Sequence, residues 1–465
     1  MQYGLEADFF YKTLTTDLSA KAASATPIRL GSIRAAHCAA ASLNAATIST
    51  MTADPAKKPP RHLRASDLRS AALLATQATV AVAAMSEGVH QSVLRTLGAP
   101  HGDTPEKTWG LTGLVYQSIT GVTQLIGKGM ASALTRLEPL LQRMEGEADE
   151  SPERAAVMAA LNGVMGDRLQ ASGNPLTTPM TLRHAGRVLN PLLPGSAAID
   201  NASGKLLLVI HGLCMNELQW TAQHGGHSVN HADTLAQSLG YTPVYLRYNT
   251  GLHVSQNGQA LTAQLEALVC HWPVPLTELS VLTHSMGGLV IRSALYAATE
   301  SGLLWPKHLK NIVFLGTPHH GAPLERAGNW VDVILGSTPY SRPFAKLGQL
   351  RSAGVTDLRY GHLLDVDWHG HDRFRRRPDS RQPLPLPDQP ACFALAATTA
   401  ARRSKLADQL VGDGLVPLPS ALGQHDDAAR QLVFAPGRQH IVYRTNHLQL
   451  LSSPEVTRQL LAWLG

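Results

Sequence analysis

The sequence contains few cysteines and few charged side chains for its length. Its 465 residues include only four cysteines, which lie far apart and form no C-x-x-C pair of the kind found in zinc and redox sites. Four cysteines are too few to stabilise so long a chain by disulfides, so we interpret them mostly as buried thiols, with one extracytoplasmic disulfide as the alternative. Charged residues make up 16% of the chain, against about a quarter in an average protein. Such a surface is compatible with apolar contact to lipid or to a partner.

The chain also lacks a dense basic face and a long apolar run. The net charge is +6, and the longest basic run, Arg375 to Arg377, is interpreted as part of a solvated loop. We therefore predict no nucleic-acid partner. Residues 1–16 have no continuous apolar core of a secretory signal, and no uncharged apolar run convincingly reaches the ~20 residues of a spanning helix. We predict a soluble, cytoplasmic protein, with peripheral contact to a membrane or lipid surface as the alternative.

Three regions are predicted from changes in composition. Residues 1–60 are rich in Ala, Ser and Thr with little periodicity, which indicates a poorly ordered extension. Residues 61–175 are predicted to form a helical N-terminal domain, whose helix at 109–127 is uncharged and interpreted as a bundle seam or a lipid-facing surface. The third helix of this domain is predicted at 151–173.

From residue 176 to residue 465, short apolar runs alternate with amphipathic helical patterns. This alternation predicts an α/β domain with a mostly parallel sheet and helices on both faces. An insertion at about 322–390, rich in Pro, Gly, Arg and His, is predicted to form a cap or lid over the carboxyl edge of the sheet. Predicted strands are 178–188, 206–210, 242–248, 279–283, 311–315, 393–397 and 432–434, and predicted helices are 255–271, 286–299 and 453–464.

Ser285 is the candidate nucleophile because it follows an apolar strand and precedes an amphipathic helix, within Thr283-His-Ser-Met-Gly287. A sharp strand-to-helix turn holds a serine hydroxyl clear of the backbone, and small residues on either side let the strand and the helix approach closely. Gly287 provides this on the helix side, whereas Thr283 stands in place of the usual glycine on the strand side, for which we expect a slightly wider turn that still functions.

An acyl-transfer site also requires donors for the oxyanion and a base for the serine. The backbone N–H groups of Met286 and Leu213 are the candidate donors, because Leu213 follows the strand at 206–210. Asp413, between two glycines, is the candidate acid, and His447 near the chain end is the candidate base, in the order Ser–Asp–His. The rivals considered for these two roles are Asp408, Asp426, Asp427, His425 and His440.

These motifs, together with Phe314-Leu-Gly-Thr-Pro-His-His-Gly-Ala322 and Asn446–Val456, resemble the α/β-hydrolase superfamily. Within it the chain is similar to bacterial triacylglycerol lipases and to GPI inositol-deacylase-like esterases over roughly residues 178–465. The resemblance implies Ser285 as nucleophile, His447 as general base and acid, and Asp413 as the residue orienting His447. It also implies Leu213 and Met286 as oxyanion donors and a structural role for the Gly316–Gly321 loop in the wall of the site.

The expected function is hydrolysis of a carboxylic ester with an apolar acyl part, without a cofactor. An acyltransferase, thioesterase or amidase with the same three residues is the first alternative, and a non-catalytic hydrolase-like binding protein is the second. The cluster Asp365, Asp367, His369, His371 and Asp372 has residue types that bind zinc or calcium. We interpret it as a polar loop and predict no metal site.

Overall fold

One eight-stranded sheet organises the chain. The computed structural model describes residues 150–190, 199–322, 351–372, 379–401 and 412–465. The strand order is β10-β9-β8-β7-β3-β6-β1-β2, and the pairs are parallel from β10 to β6, whereas β1 is antiparallel to both β6 and β2. The strands of this sheet are β1 Thr181–His184, β2 Arg187–Leu189, β3 Lys205–Ile210, β6 Thr242–Arg247, β7 Glu278–His284, β8 Leu309–Leu315, β9 Ala391–Thr398 and β10 Gln439–Tyr443; β4 Ala222–His224 and β5 His227–Val229 form a separate hairpin.

Both faces of the sheet are covered by helices. Along β3, Leu206, Leu208 and Ile210 pack into one apolar cluster, whereas Leu207 and Val209 pack into another. Because successive side chains of a strand point to opposite faces, the two clusters lie on opposite sides of the sheet. The helices are α1 Pro152–Ala171, α2 His231–Leu239, α3 Val254–Cys270, α4 Met286–Glu300, α5 Ala353–Tyr360, α6 Asp365–Trp368, α7 Leu418–Ala421 and α8 Pro454–Leu464. The first cluster includes residues of α3 and α4, and the second includes residues of α2 and α8. The fold class predicted from the sequence is confirmed.

Two of the strand predictions were wrong. The segment predicted as one strand over 178–188 is a hairpin of β1 and β2, because Ala185 and Gly186 both have positive φ, at 47° and 78°. Two such residues form the tight turn that matches the twist of a hairpin. The predicted strand at 432–434 is irregular, and the last strand is β10. Only Val442 of β10 is buried, so this edge strand lacks the apolar run used to find the others.

Helix α1 shares a core with the sheet. Its residues Ala160 and Val164 belong to the same apolar cluster as the β3 and α3 side chains. The Ser352 hydroxyl donates a hydrogen bond to the Gly163 carbonyl at 2.6 Å, and the Asn249 amide donates to the Gly166 carbonyl at 3.0 Å. The helix predicted at 109–127 and the extension predicted at 1–60 lie outside the described residues.

The described part of the predicted insertion contains two helices, α5 and α6, and no strand within 351–372 and 379–390. It is tied to the sheet domain through Asp357, whose buried carboxylate accepts hydrogen bonds from the Val254 backbone and from His253 and His362. Within the described ranges, every helix is too short or too polar to cross a bilayer.

Candidate active site

Ser285 occupies a strained turn between β7 and α4. Its backbone angles are φ 53° and ψ −122°, a left-handed conformation that a non-glycine residue adopts at a cost of about 1–3 kcal/mol. The Ser285 N–H donates to the Leu315 carbonyl at 2.9 Å, which extends the β7–β8 ladder into the turn. The side chain is buried, and its hydroxyl has no hydrogen-bond partner among the described residues. Such strain commonly marks a residue held in position for function.

The residues around this turn explain how helix and strands approach each other. A Cβ atom on Gly287 would lie 2.6 Å from the Ile210 carbonyl oxygen, so only glycine fits where α4 crosses the end of β3. On the strand side, the Thr283 hydroxyl donates to the Val313 carbonyl at 3.1 Å. Its β-branched side chain suits the extended backbone of β7, and its hydroxyl is satisfied within the sheet.

Asp413 and His447 are in direct contact. His447 Nδ1 donates to Asp413 Oδ2 at 2.6 Å, and the His447 N–H donates to the Asp413 carbonyl at 3.0 Å. Since a carboxylate only accepts hydrogen bonds, Nδ1 carries the proton and Nε2 is the basic nitrogen. The other carboxylate oxygen, Oδ1, accepts from the N–H groups of Leu415 and Val416 at 2.9 and 2.7 Å. The two backbone N–H groups therefore fix the carboxylate in the orientation in which it accepts the hydrogen bond from the imidazole.

The two glycines beside Asp413 are required by this loop. Gly412 and Gly414 have φ values of 49° and 93°, which side-chain-bearing residues rarely adopt. A Cβ atom on Gly412 would also lie 2.0 Å from the Val416 carbonyl oxygen. The Gly-Asp-Gly sequence thus encodes a tight turn that closes back on Val416.

The His447 ring lies next to the Ser285 turn. Its centroid is 4.6 Å from that of His284, and His284 Nε2 donates to the His447 carbonyl at 3.1 Å. A Cβ atom on Gly316, directly after β8, would lie 3.1 Å from the ring. Since Ser285 follows His284 and bonds to Leu315, its turn and the Asp413–His447 pair lie at the carboxyl edge of β7 and β8. Among the described residues, the Ser285 hydroxyl makes no hydrogen bond to the imidazole.

His284 was not assigned a role from the sequence, although it lies inside the motif that identified Ser285. Burial, with a smaller contribution from His447, lowers the pKa of His284 well below its usual value of 6.5. The ring is therefore neutral, with its proton on Nε2.

The two predicted oxyanion donors belong to segments next to Ser285. Met286 is the first residue of α4, where the N–H groups of a helix have no intrahelical acceptor. Leu213 follows Gly212, and a Cβ atom on Gly212 would lie 2.9 Å from Ser285 Cβ. This loop is held by Tyr248, whose hydroxyl donates to the His211 carbonyl at 2.8 Å.

Helix α1 packs against the loop that contains Leu213 and Cys214, a contact that the sequence did not indicate. A Cβ atom on Gly163 would lie 2.2 Å from Cys214 Sγ and 2.9 Å from Cys214 Cα. Cys214 itself has φ 58°, and its N–H donates to the Thr250 hydroxyl at 3.1 Å. The only signal available in the sequence was the pair of glycines, Gly163 and Gly166, inside a helical pattern.

The rival residues have other partners in the structure. His440 Nε2 contacts Glu455 Oε1 at 3.0 Å, and His425 Nε2 lies 3.5 Å from Asp379. Asp427 accepts from the Ala429 N–H and pairs with Arg430, on the surface. Asp426 has no contact with His447 among the described hydrogen bonds and ion pairs, and Asp408 lies outside the described residues.

The acidic and histidine cluster at 365–372 does not converge on one point. Asp367 accepts hydrogen bonds from the backbone N–H groups of Leu363, Leu364 and Gln382, and Asp365 accepts from Gln259. Among the described residues, no group of three or more His, Cys, Asp or Glu side chains is placed to hold a metal ion. Asp367 instead acts as a local backbone cap.

Comparison with known proteins gives a resemblance of fold. A family model described as "Domain of unknown function (DUF7379)" matches residues 178–358. No curated protein matches the chain in sequence. The solved structures that the chain is similar to include proteins described as a lipase, an esterase and an alpha/beta hydrolase superfamily protein. At their identities and TM-scores, these neighbours carry no argument about activity.

Three of these neighbours illustrate the similarity. A Bacillus licheniformis lipase is 17% identical with a TM-score of 0.37, over 62% of this chain and 99% of that chain. Aspergillus fumigatus lipase B is 11% identical with a TM-score of 0.34, over 85% of this chain and 83% of that chain. A Pyrococcus furiosus esterase is 16% identical with a TM-score of 0.33, over 57% of this chain and 85% of that chain.

Proposed function

We propose that the protein is a serine hydrolase that cleaves carboxylic esters through an acyl-enzyme on Ser285. The observation that carries the proposal is the 2.6 Å contact between Asp413 and His447, placed beside the strained turn that holds the serine. A nucleophile, an oriented base and a carboxylate at one edge of the sheet are the parts that acyl transfer requires.

In the proposed mechanism, His447 Nε2 accepts the Ser285 hydroxyl proton as the oxygen attacks the ester carbonyl. Asp413 keeps the Nδ1 proton in place and stabilises the imidazolium that forms. The imidazolium then gives its proton to the leaving alcohol as the bond between the carbonyl carbon and the alcohol oxygen breaks. Water attacks the resulting acyl-enzyme with His447 again acting as the base, and the acid product and the free serine are released.

The N–H groups of Met286 and Leu213 are proposed to donate to the oxyanion of both tetrahedral intermediates. Met286 adds the positive end of the α4 dipole at the point where negative charge develops. Because both donors belong to the backbone, apolar side chains can occupy these positions at no cost to the chemistry.

An apolar acyl group is favoured by the side chains near the turn. Met215 Sδ would lie 3.4 Å from a Cβ on Gly212, and Leu450 Cδ1 would lie 2.8 Å from a Cβ on Gly316. Transfer of the acyl group to another acceptor, or attack on a thioester or amide, would use the same residues. Product analysis with an alcohol competing against water separates hydrolysis from transfer.

The first test is labelling with a fluorophosphonate probe and hydrolysis of p-nitrophenyl esters of increasing chain length. We expect the wild-type protein to be labelled and to cleave these esters, and Ser285→Ala to lose both properties while keeping its circular dichroism spectrum. Ser301→Ala, at the exposed C-terminal end of α4, is the matched control and should behave like wild type.

Ester hydrolysis that persists in folded Ser285→Ala would refute the assignment of the nucleophile. A folded wild-type protein that is neither labelled nor active on any of the esters would favour the non-catalytic alternative. Faster hydrolysis of emulsified than of dissolved esters would indicate a lipase.

A further inference from the structure

Arg292 is a buried cation that has no carboxylate partner in the part of the chain that the structure describes. It lies on the inner side of α4 and is 7% exposed. Its guanidinium donates to the Leu384 carbonyl and, through Nη1, to His319 Nδ1 at 3.4 Å. Its Nε has no hydrogen-bond partner among the described residues. Moving a charge out of water is costly unless an opposite charge accompanies it, and no described residue forms an ion pair with Arg292.

His319, which follows β8, presents a second buried N–H donor that has no acceptor among the described residues. Its Nδ1 accepts the hydrogen bond from Arg292, so in the neutral ring the proton is on Nε2. The side chain is 1% exposed, and Nε2 has no partner among the described residues. Burial and the adjacent Arg292 lower the pKa of His319 well below its usual value, which keeps the ring neutral.

Both side chains line one cavity of about 20 Å³, a volume that holds a single water molecule or a monatomic ion. Arg381 and Arg430 also line it, and both pair with Asp379. The carboxylate in its lining is Asp367, whose oxygens accept the three backbone hydrogen bonds described above. The charge of Arg292 is therefore not balanced by any ion pair among the described residues.

We propose that this cavity binds a small monovalent anion of the size of chloride, held by Arg292 and His319. Buried donors on Arg292 and His319 that have no acceptor among the described residues call for a ligand that only accepts hydrogen bonds and that carries negative charge. A water molecule would accept from both donors, but it would bring two hydrogens of its own and would leave the guanidinium uncompensated. The site is separate from the proposed catalytic residues and does not depend on their assignment.

Thermal unfolding in sodium chloride and in sodium gluconate at equal ionic strength tests this proposal, because gluconate is too large for the cavity. A ligand that binds only the folded state at a concentration a hundredfold above its dissociation constant raises the folded-to-unfolded ratio about a hundredfold. We therefore expect the melting temperature of the wild-type protein to rise with chloride relative to gluconate.

Arg292→Gln should abolish this chloride-specific rise, whereas Arg458→Gln, on the exposed side of α8, should retain it. Equal melting temperatures of the wild-type protein in chloride and gluconate would overturn the proposal. An unchanged chloride response in folded Arg292→Gln would overturn it as well.

Crystals of the wild-type protein grown or soaked in sodium bromide provide a test that does not depend on a variant. An anomalous bromide peak is expected in the cavity within hydrogen-bond reach of the Arg292 guanidinium and His319 Nε2. Bromide peaks confined to the surface, with a water molecule in the cavity, would show that the site is not an anion site.

Discussion

The buried histidines predict how the stability of the protein depends on pH, and His231 gives the clearest case. It lies at the start of α2 and is fully buried. Its Nε2 donates to the Leu450 carbonyl at 2.9 Å, and its Nδ1 accepts from the Thr457 hydroxyl at 2.9 Å. Burial lowers the pKa of His231 to about 4 from its usual value of 6.5. The ring is therefore neutral in the folded protein at a pH at which it is protonated in the unfolded chain.

The sign of the effect follows from which state binds the proton. Between pH values of about 6.5 and about 4, the unfolded chain binds a proton that the folded protein excludes, so stability falls as the pH falls. From about pH 7 to about pH 5.5, His231 alone removes about 1 kcal/mol from the free energy of unfolding. At about pH 4 the loss approaches about 3 kcal/mol, since one pKa unit corresponds to about 1.4 kcal/mol.

The assay is urea unfolding at several pH values in this range, for the wild type and for His231→Gln. The glutamine can still donate to the Leu450 carbonyl but does not titrate, so its free energy of unfolding should fall less steeply by about 1 kcal/mol over the upper part of the range. His227→Gln, on the exposed β4–β5 hairpin, is the control and should follow the wild type. Parallel pH curves for the wild type and His231→Gln would show that His231 does not remain neutral in the folded state.

Two further predictions concern the candidate site. Asp413→Asn should leave the circular dichroism spectrum unchanged but lower kcat for ester hydrolysis by up to about four orders of magnitude. The reason is that an amide cannot hold the Nδ1–H tautomer of His447 as a carboxylate does. A steady-state rate close to that of wild type would contradict the role given to Asp413. Gly163→Ala should lower the free energy of unfolding by about 1–3 kcal/mol and also reduce kcat. The added methyl group would lie 2.2 Å from Cys214 Sγ, and Cys214 directly follows Leu213. Loss of stability in urea unfolding with an unchanged kcat would show that α1 does not position this loop.

Much of the sheet could be predicted because its inner strands are apolar on both faces. All residues from Leu206 to Ile210 in β3 are completely buried, and such runs are recognisable without knowledge of their neighbours. The tight turn at Asp413 could also be predicted from the sequence, because this residue lies between two glycines. In the structure both glycines have the positive φ values that such a turn requires.

The remaining features depend on tertiary contacts that leave little local pattern. Strand β10 is half polar because it lies at the edge of the sheet, and α1 docks through glycine and alanine, whose side chains contribute little to an amphipathic pattern. The pairing of Arg292 with His319 joins residues 27 positions apart, and neither residue type indicates in advance that it will be buried. Edges and small-residue contacts are thus where sequence patterns carry the least information.

The position of α1 determines how far the chain can be shortened. The family match begins at residue 178, and a recombinant fragment that starts there would lack α1, whose Ala160 and Val164 belong to the same core cluster as Cys214. The apolar side chains that α1 packs against, Cys214 among them, would then lose this cover, and exposed apolar surface promotes aggregation. A minimal folded unit for expression and crystallisation should therefore retain the chain from Glu150 onwards.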